Sequence, residues 1–438
     1  MMKIAFNNSN LHTGLKDAHE SPKRLEKCIK NLKTKYSDEY FINAETDRNE
    51  SLKLIKEVHS DKYIDYLENY IPTQIICRKC GKKMDNKAIN SFSDFINNNK
   101  SCIHCNNKFN LENVLAYPSI DTYFTPHTFD VILNSVYNIK LLLDDIKENK
   151  ASHGYALVRP PGHHCNNKCD GFCIVNNVVV AAKYAQSIGY KKVLIIDYDF
   201  HHGDGTSGLI KNMEDIFMVS IHGFGDYIYP GTGNEHDINN VYNIPLDVSI
   251  DPESRIYIDD SYYTRLIFIK KVLPYIHKIN PDIILVSNGL DGHQEDPLEG
   301  FNLTDRTYVE IAFLLKQFNK PILYISEGGY SSDVYNRVSD KIINIFNDKY
   351  SQYIYDFQHA HTGKLVLTNG IIKSIITLDN IDETNYKDVI EFAFKNFYGC
   401  TNIEKVRFFC KKKCITFDKL EFSDFENYKF GYFFKFLF

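Results

Sequence analysis

The sequence predicts a three-layer α/β/α architecture with a mostly parallel central sheet, and three observations carry that prediction. Short, wholly apolar runs recur between about Ser152 and Tyr330; segments of helical periodicity separate several of them; and polar, chemically capable residues follow the runs rather than interrupting them. Strands that lack polar alternation are buried on both faces, as in a parallel sheet covered by helices. In such sheets ligands sit outside the carboxyl ends of the strands.

Taken in order, the run Tyr155–Val158 leads into "RPPGHH", which ends in His163 and His164. Val193–Ile196 leads into "DYDFHHGDG", where Asp197, Asp199, His201, His202 and Asp204 fall within eight residues. Phe217–Ile221 is a further run. Ile283–Val286 precedes "SNGLDGHQEDPLEG" with Asp291, and Ile322–Ile325 precedes "SEGGY" with Tyr330. Helices are expected over Ile174–Ile188 and Tyr262–Ile279, where apolar residues recur at three and four positions. Four strand ends therefore bring His, Asp and Tyr to one edge of the sheet.

Alternate residues of an extended strand point the same way, so Asp197, Asp199 and His201 share a face while Tyr198 and Phe200 pack on the other. Two neighbouring carboxylates repel unless a cation lies between them, and an unpaired buried one costs several kcal/mol. Asp199, His201 and the distant Asp291 form a three-ligand set for a divalent metal, leaving coordination open for water and substrate as in catalytic zinc sites. Tandem His163 and His164 suit acid–base work near neutral pH, with Asp197 and Asp204 as the carboxylates that orient them. Tyr330, after two glycines, is placed to donate a hydrogen bond to an oxyanion. His202 reads equally well as a structural histidine.

The 438 residues are 43% hydrophobic and 24% charged, with a formal net charge of −5, so the chain carries a sizeable core and no overall signature of nucleic-acid or membrane-surface binding. The amino terminus lacks a signal-peptide pattern, and no apolar run approaches the ~20 residues of a membrane span. An intracellular protein, cytoplasmic or nuclear, is expected. In that setting eleven cysteines indicate metal ligands or free thiols rather than disulfides.

The segments "RPPGHHCNNKCDGFCIVNNVVVAA", "IIDYDFHHGDGT", "VSIHGFGDYIYPGTG", "VSNGLDGHQEDPLEGFNLT" and "ISEGGY", with "HESPKRL" (His19–Leu25) and "HSDKYIDYL" (His59–Leu67), together resemble the zinc-dependent histone deacetylase family. The resemblance covers roughly residues 1–72 and 116–345, and "EGGY" and "DPLEG" resemble its class II and bacterial branch, which includes acetylpolyamine amidohydrolases. It implies the arginase/deacetylase fold and an amidohydrolase that removes acetyl groups from lysine side chains of proteins, histones among them, or from acetylpolyamines. Residue by residue, it implies Asp199, His201 and Asp291 as catalytic zinc ligands and His164 as general base and acid. His163 would be its electrostatic partner, with Asp197 and Asp204 as their carboxylates and Tyr330 as oxyanion donor. Gly171, Phe172 and Tyr229 would line the substrate channel, where the family usually has Phe at the last position. Asp121 would be the rim aspartate. Leu298 stands where the polyamine-selective vertebrate member has an acidic gatekeeper, although Glu295, Asp296 and Glu299 suggest an acidic rim nearby. Asp197, Ser220 and backbone groups near Asp199 and His201 resemble the family's potassium site.

Between the two matching stretches, residues 73–115 carry "CRKC" (Cys77, Cys80) and "CIHC" (Cys102, Cys105), separated by 21 residues: a zinc-ribbon or knuckle pattern and a second, structural zinc site. Such a module could shape the rim, recruit a partner or mediate dimerisation; its lysines read as a solvated face before a nucleic-acid contact. The hypothesis for it is substrate selection. Cys165 and Cys169 read as ordinary thiols before redox-sensitive ones. Residues 350–438 read as an α+β accessory segment, with a hairpin turning at Asn369-Gly370, a helix in "YKDVIEFAFKNFYG", and no assigned function. Two competing classes are an arginase-like dimanganese ureohydrolase, which would need more bridging Asp and His, and a non-catalytic acetyl-lysine reader or scaffold, against which Tyr330, His163 and His164 argue.

Overall fold

The apolar runs do become strands. A computed structural model describes residues 1–347 apart from residues 8, 43, 86–89, 235–236, 249–257 and 299, and beyond them only the strand segments noted below. In chain order the strands are β1 (Met2–Phe6), β2 (Gln74–Cys77), β3 (Lys83–Asp85), β4 (Val114–Leu115), β5 (His153–Leu157), β6 (Val193–Asp197), β7 (Ile216–Phe224), β8 (Asp237–Ile238), β9 (Val241–Asp247), β10 (Ile283–Asn288) and β11 (Ile322–Ser326). The main sheet has the order β1-β5-β11-β10-β6-β7-β9-β8. Its first seven strands run parallel and β8 is a short antiparallel edge. β1, β8 and β9 extend it beyond the runs picked out by composition.

Every residue of β6, β10 and β11 is buried, as expected of strands covered on both sides. One face carries Val193, Ile195, Ile283, Leu285, Leu323 and Ile325 against two helices, Thr128–Lys147 and Asn177–Ser187. On the other face Tyr155 and Tyr324 pack with ring centroids 5.6 Å apart. There the Tyr155 hydroxyl lies 2.9 Å from Ser339 Oγ, in the helix Ser332–Phe346. The three layers are therefore present.

The topology positions the site. After β5 the chain skips two places to β6, builds outward through β7 and β9, and later returns to fill the gap with β10 and β11. β5, β11, β10 and β6 are consecutive neighbours, so the four loops that carry the reactive residues leave the sheet side by side. The helix expected over Ile174–Ile188 begins at Asn177, because the Asn176 side chain caps it by accepting the Val179 N–H at 3.1 Å.

Between Gln74 and Leu115 the chain forms a separate three-stranded sheet, ordered β3-β2-β4. The chain forms two compact units. The first, comprising residues 1–258, 279–305 and 320–343, contains both sheets described so far. The second comprises residues 259–278, 306–319 and 344–438. In it the helix expected over Tyr262–Ile279 starts with a wide π-type stretch, Tyr262–Val272, before becoming α-helical at Leu273–Ile279. It also contains a sheet in the order Lys373–Ile376, Leu365–Thr368, Gly431–Leu437, Arg407–Cys410, Lys413–Thr416, with Glu426–Tyr428 pairing Gly431–Leu437. The first two of these strands pair antiparallel, as a hairpin would. The Asn369-Gly370 turn and the helix expected in "YKDVIEFAFKNFYG" lie outside the described residues.

Candidate active site

β6 ends at Asp197, and the residues that follow it leave the carboxyl edge of the sheet. Three side chains from two loops converge there: one ligand atom each of Asp199, His201 and Asp291 lies within 4.8 Å of the others. His201 Nδ1 stands 3.0 Å from Asp291 Oδ2 and 3.3 Å from Asp199 Oδ1. Backbone amides hold the carboxylates in place. Asp291 Oδ1 accepts the Phe200 N–H and Asp199 Oδ2 the Gly328 N–H, both at 2.7 Å.

Both carboxyls are fully buried. Burial, reinforced by the neighbouring Asp199, pushes Asp291 up to about 7. Burial opposes the charge of Asp199, but His163 and His201 hold it well below the carboxylate range. His201 is raised to about 10: burial opposes its charge, and hydrogen bonds to Asp199 and Asp291 outweigh it. A buried oxygen–oxygen–nitrogen set gathered within 4.8 Å has the composition and spacing of a divalent-metal site, and zinc fits it.

Beside this triad stands a pair of histidines with rings 4.0 Å apart. His163 Nδ1 lies 3.2 Å from Asp197 Oδ2, and His164 Nδ1 lies 2.7 Å from Asp204 Oδ1 at the start of the helix Asp204–Ile210. The two imidazoles are driven apart. Burial and the neighbouring His163 bring His164 down to about 4. Burial also opposes charge on His163, yet Asp199 and Asp197 raise it well above the usual histidine value.

Tyr330 closes the other side. Its ring stacks edge-on to Phe172 with centroids 5.7 Å apart and lies under the Arg24 guanidinium at 4.7 Å. Burial keeps its phenol protonated, well above the usual tyrosine value. Tyr229 meets the His164 ring at 4.9 Å and donates its hydroxyl to Asp170 Oδ1 at 3.0 Å. Gly171 takes φ +51°, and a Cβ there would sit 2.4 Å from His164 Cδ2, so glycine is what lets the loop pass the histidine. The channel residues expected from the sequence are thus in one place. Asp121, expected at the rim, accepts hydroxyl hydrogens from Ser119 and Thr122.

Residues 18–346 match the family model described as the histone deacetylase domain, which is more than half of the chain. The chain belongs to the histone deacetylase family, a family of zinc-dependent hydrolytic deacetylases. Histone deacetylase 10, chloroplastic, of Oryza sativa subsp. japonica is 36% identical over 228 residues, 48% of this chain and 49% of that protein. The match thus spans about half of that relative's length. Among solved structures, the HD domain of HDA15 superposes with a TM-score of 0.63 at 24% identity, over 80% of this chain and 88% of that one. Acetylpolyamine aminohydrolase from Burkholderia pseudomallei superposes with a TM-score of 0.60 at 20% identity, over 79% and 99%. At these identities the two structures speak for the fold.

Several further features of this deacetylase-family site bear on the sequence reading, some departing from it and some agreeing. The acidic rim is one. Asp296 turns inward, accepting the Tyr330 N–H at 2.6 Å and the Leu298 N–H at 3.0 Å, and Glu295 pairs with Arg337 at 2.8 Å. Glu299 lies outside the described residues, and Leu298 is half-buried in the same turn. His202 bonds to Thr232 Oγ1 at 2.8 Å and packs its ring 4.5 Å from His222, as a structural histidine does. Ser220, paired with Asp197 across β6 and β7, has its hydroxyl 2.8 Å from His222 Nδ1. Cys165 and Cys169 flank the Tyr63 hydroxyl at 3.5 and 3.3 Å, and burial pushes their thiols up to about 12 and 11, which makes them unreactive.

Glu327 was missed. It is fully buried, and its Oε2 accepts the N–H groups of Gly162 and His163 at 2.7 and 3.1 Å, tying the end of β11 to the histidine loop. A lone acid directly after an apolar run, beside "GGY", was the available signal.

Proposed function

We propose that the chain hydrolyses the acetyl amide of acetyl-lysine in proteins, histones among its candidate substrates. The observation that carries the reading is the adjacency of the Asp199–His201–Asp291 triad to a histidine dyad in which each imidazole has its own carboxylate. Bound at the triad, zinc would polarise the acetyl carbonyl and acidify the attacking water. The chain's own groups do the rest. His164, oriented by Asp204, takes the proton of the water and returns it to the departing amine; His163, paired with Asp197, supplies positive charge beside it. Tyr330, a protonated phenol, donates to the oxygen that becomes the oxyanion. Phe172 and Tyr229 flank the aliphatic stem, and Asp121 is held at the rim to accept a peptide N–H of the substrate.

The inward turn of Asp296, the pairing of Glu295 with Arg337 and the apolar Leu298 favour a lysine side chain over a polycation. Acetylpolyamine is the second reading, favoured by the rim carboxylates Asp121 and Asp170. The intact dyad and Tyr330 count against a scaffold. A potassium ion near Asp197 and Ser220 belongs to the same reading. So does a structural zinc at Cys77, Cys80, Cys102 and Cys105, whose ligand atoms lie within 4.8 Å of one another in an inserted module of residues 73–115. The test is a comparison of kcat/KM on acetyl-lysine peptides and acetylated polyamines. A preference for polyamines reverses the order of the two readings, and no release of acetate from either removes both.

A further inference from the structure

The two cysteine pairs are built alike. In each, the residue four after the first cysteine adopts a left-handed conformation (Gly81 at φ +68°, Asn106 at φ +56°) and donates its N–H to that cysteine's carbonyl at 2.8 Å. In each, the first cysteine donates its own N–H to the carbonyl five residues on, Cys77 to Lys82 at 3.1 Å and Cys102 to Asn107 at 2.8 Å. Across the pairs, Cys77 Sγ lies 3.8 Å from Cys105 Sγ and Cys80 Sγ 3.7 Å from Cys102 Sγ. A tetrahedron of ~2.3 Å zinc–sulfur bonds has edges of about 3.8 Å. Two equivalent knuckles therefore present four thiols at the spacing of one tetrahedral ion.

From this site a run of hydrogen bonds, between backbones until its last link through the Thr122 hydroxyl, leads to the reaction channel. Cys77 and Ile76 of β2 pair with Val114 and Leu115 of β4. The next residue, Ala116, exchanges two hydrogen bonds with Phe124, at 2.9 and 2.7 Å. The loop so closed contains Thr122, whose Oγ1 accepts the N–H of Phe172 at 3.0 Å and donates to Asp121 at 2.9 Å. Phe172 itself sits at φ +65°, a conformation costly for a bulky residue that its surroundings must hold. Cys77, Cys102, Val114, Ala116 and Phe124 also share one hydrophobic cluster with Cys173, the residue after Phe172.

We infer that the four-thiolate zinc site is a positioning device for the channel: through β2, β4 and Thr122 it holds Phe172 in its strained conformation at the channel wall and Asp121 at the rim. The inference rests on the reading of the four thiols as a zinc site and of Phe172 as a wall of the substrate channel. Thr122 is the positioning residue, and the ligand of the module is a tetrahedral thiophilic dication, zinc.

The test uses the full chain and two variants, Cys80→Ser with Cys105→Ser, and Thr122→Val. Elemental analysis should give two zinc ions per chain in the wild type and in Thr122→Val, and one in the double cysteine variant. Amide exchange in the peptide 170–174 should quicken about fivefold or more in both variants, the loss of one hydrogen bond's restraint, with β6 unchanged. KM for an acetylated peptide should rise about threefold or more, with kcat within about twofold. Two zinc ions in the cysteine variant overturn the site. Loss of zinc with unaltered exchange at 170–174 overturns the coupling. If the cysteine variant fails to fold, Thr122→Val decides alone: unaltered exchange at 170–174 sinks the proposal. A wild type that hydrolyses no acetylated amine defeats the proposed function, while zinc content and exchange still judge this inference.

Discussion

The hydroxyl of Tyr229 donates to Asp170 at 3.0 Å while its ring lies edge-on to His164. The same tyrosine thus touches both the rim carboxylate and the histidine assigned as base. Tyr229→Phe keeps the ring and leaves Asp170 with Lys168, which donates to its other oxygen. A hydrogen bond at a half-exposed site contributes about 1 kcal/mol, so KM should change by up to about fivefold and kcat little. Steady-state kinetics on an acetylated peptide check this; a fall in kcat with KM constant would give the hydroxyl a role in the chemical step.

Tyr330 is held by its N–H on Asp296 and by Arg24 against its ring, neither of which involves its hydroxyl. Tyr330→Phe should therefore fold and bind metal as the wild type does while losing about 10²–10³ in kcat, the usual cost of one oxyanion donor. Turnover measured alongside zinc content separates the two effects. Near-full turnover would remove the oxyanion role.

Asp291 contributes one ligand atom to the triad and also anchors the Phe200 N–H. Asp291→Ala leaves two protein ligands and should release the active-site zinc, lowering the metal content of the chain by one ion with turnover lost. Retention of that zinc by elemental analysis would overturn the ligand assignment.

His59 is buried, and its Nε2 accepts the N–H of Asn176, the residue that caps the helix Asn177–Ser187. Burial pushes it down from 6.5 to about 4. The unfolded chain gains a proton on falling below pH 6.5, and the folded chain refuses it until about pH 4, so stability is present above that window and lost as pH falls through it. Between pH 7 and pH 5 the loss should be about 2 kcal/mol from this residue. Urea unfolding of the wild type and of His59→Gln, which keeps an acceptor but does not titrate, should differ in pH slope by that amount. Parallel slopes would refute the assignment.

The strand positions were legible because burial on both faces leaves an uninterrupted apolar run, as in Val193–Ile196. The reactive residues were legible because charge after such a run is expensive without a purpose. β1 escaped notice because Lys3 interrupts its apolar residues. Glu327 escaped because its partners, the amides of Gly162 and His163, are backbone groups far away in sequence. Asp296 was misread for the same reason: a carboxylate that serves a distant N–H looks identical in sequence to one that faces water.

By itself the sequence determined the class of fold, the inventory of candidate ligands and acid–base groups, and the two cysteine pairs, since each follows from local pattern and from the cost of burying charge. The tertiary structure decided what those groups face. Strand order placed β5, β11, β10 and β6 side by side, separated the two histidines by their surroundings, turned Asp296 away from the rim, and joined the cysteine module to Phe172 through Thr122. These are long-range pairings, settled by which surfaces pack and which hydrogen bonds close, and periodicity along the chain carries no record of them.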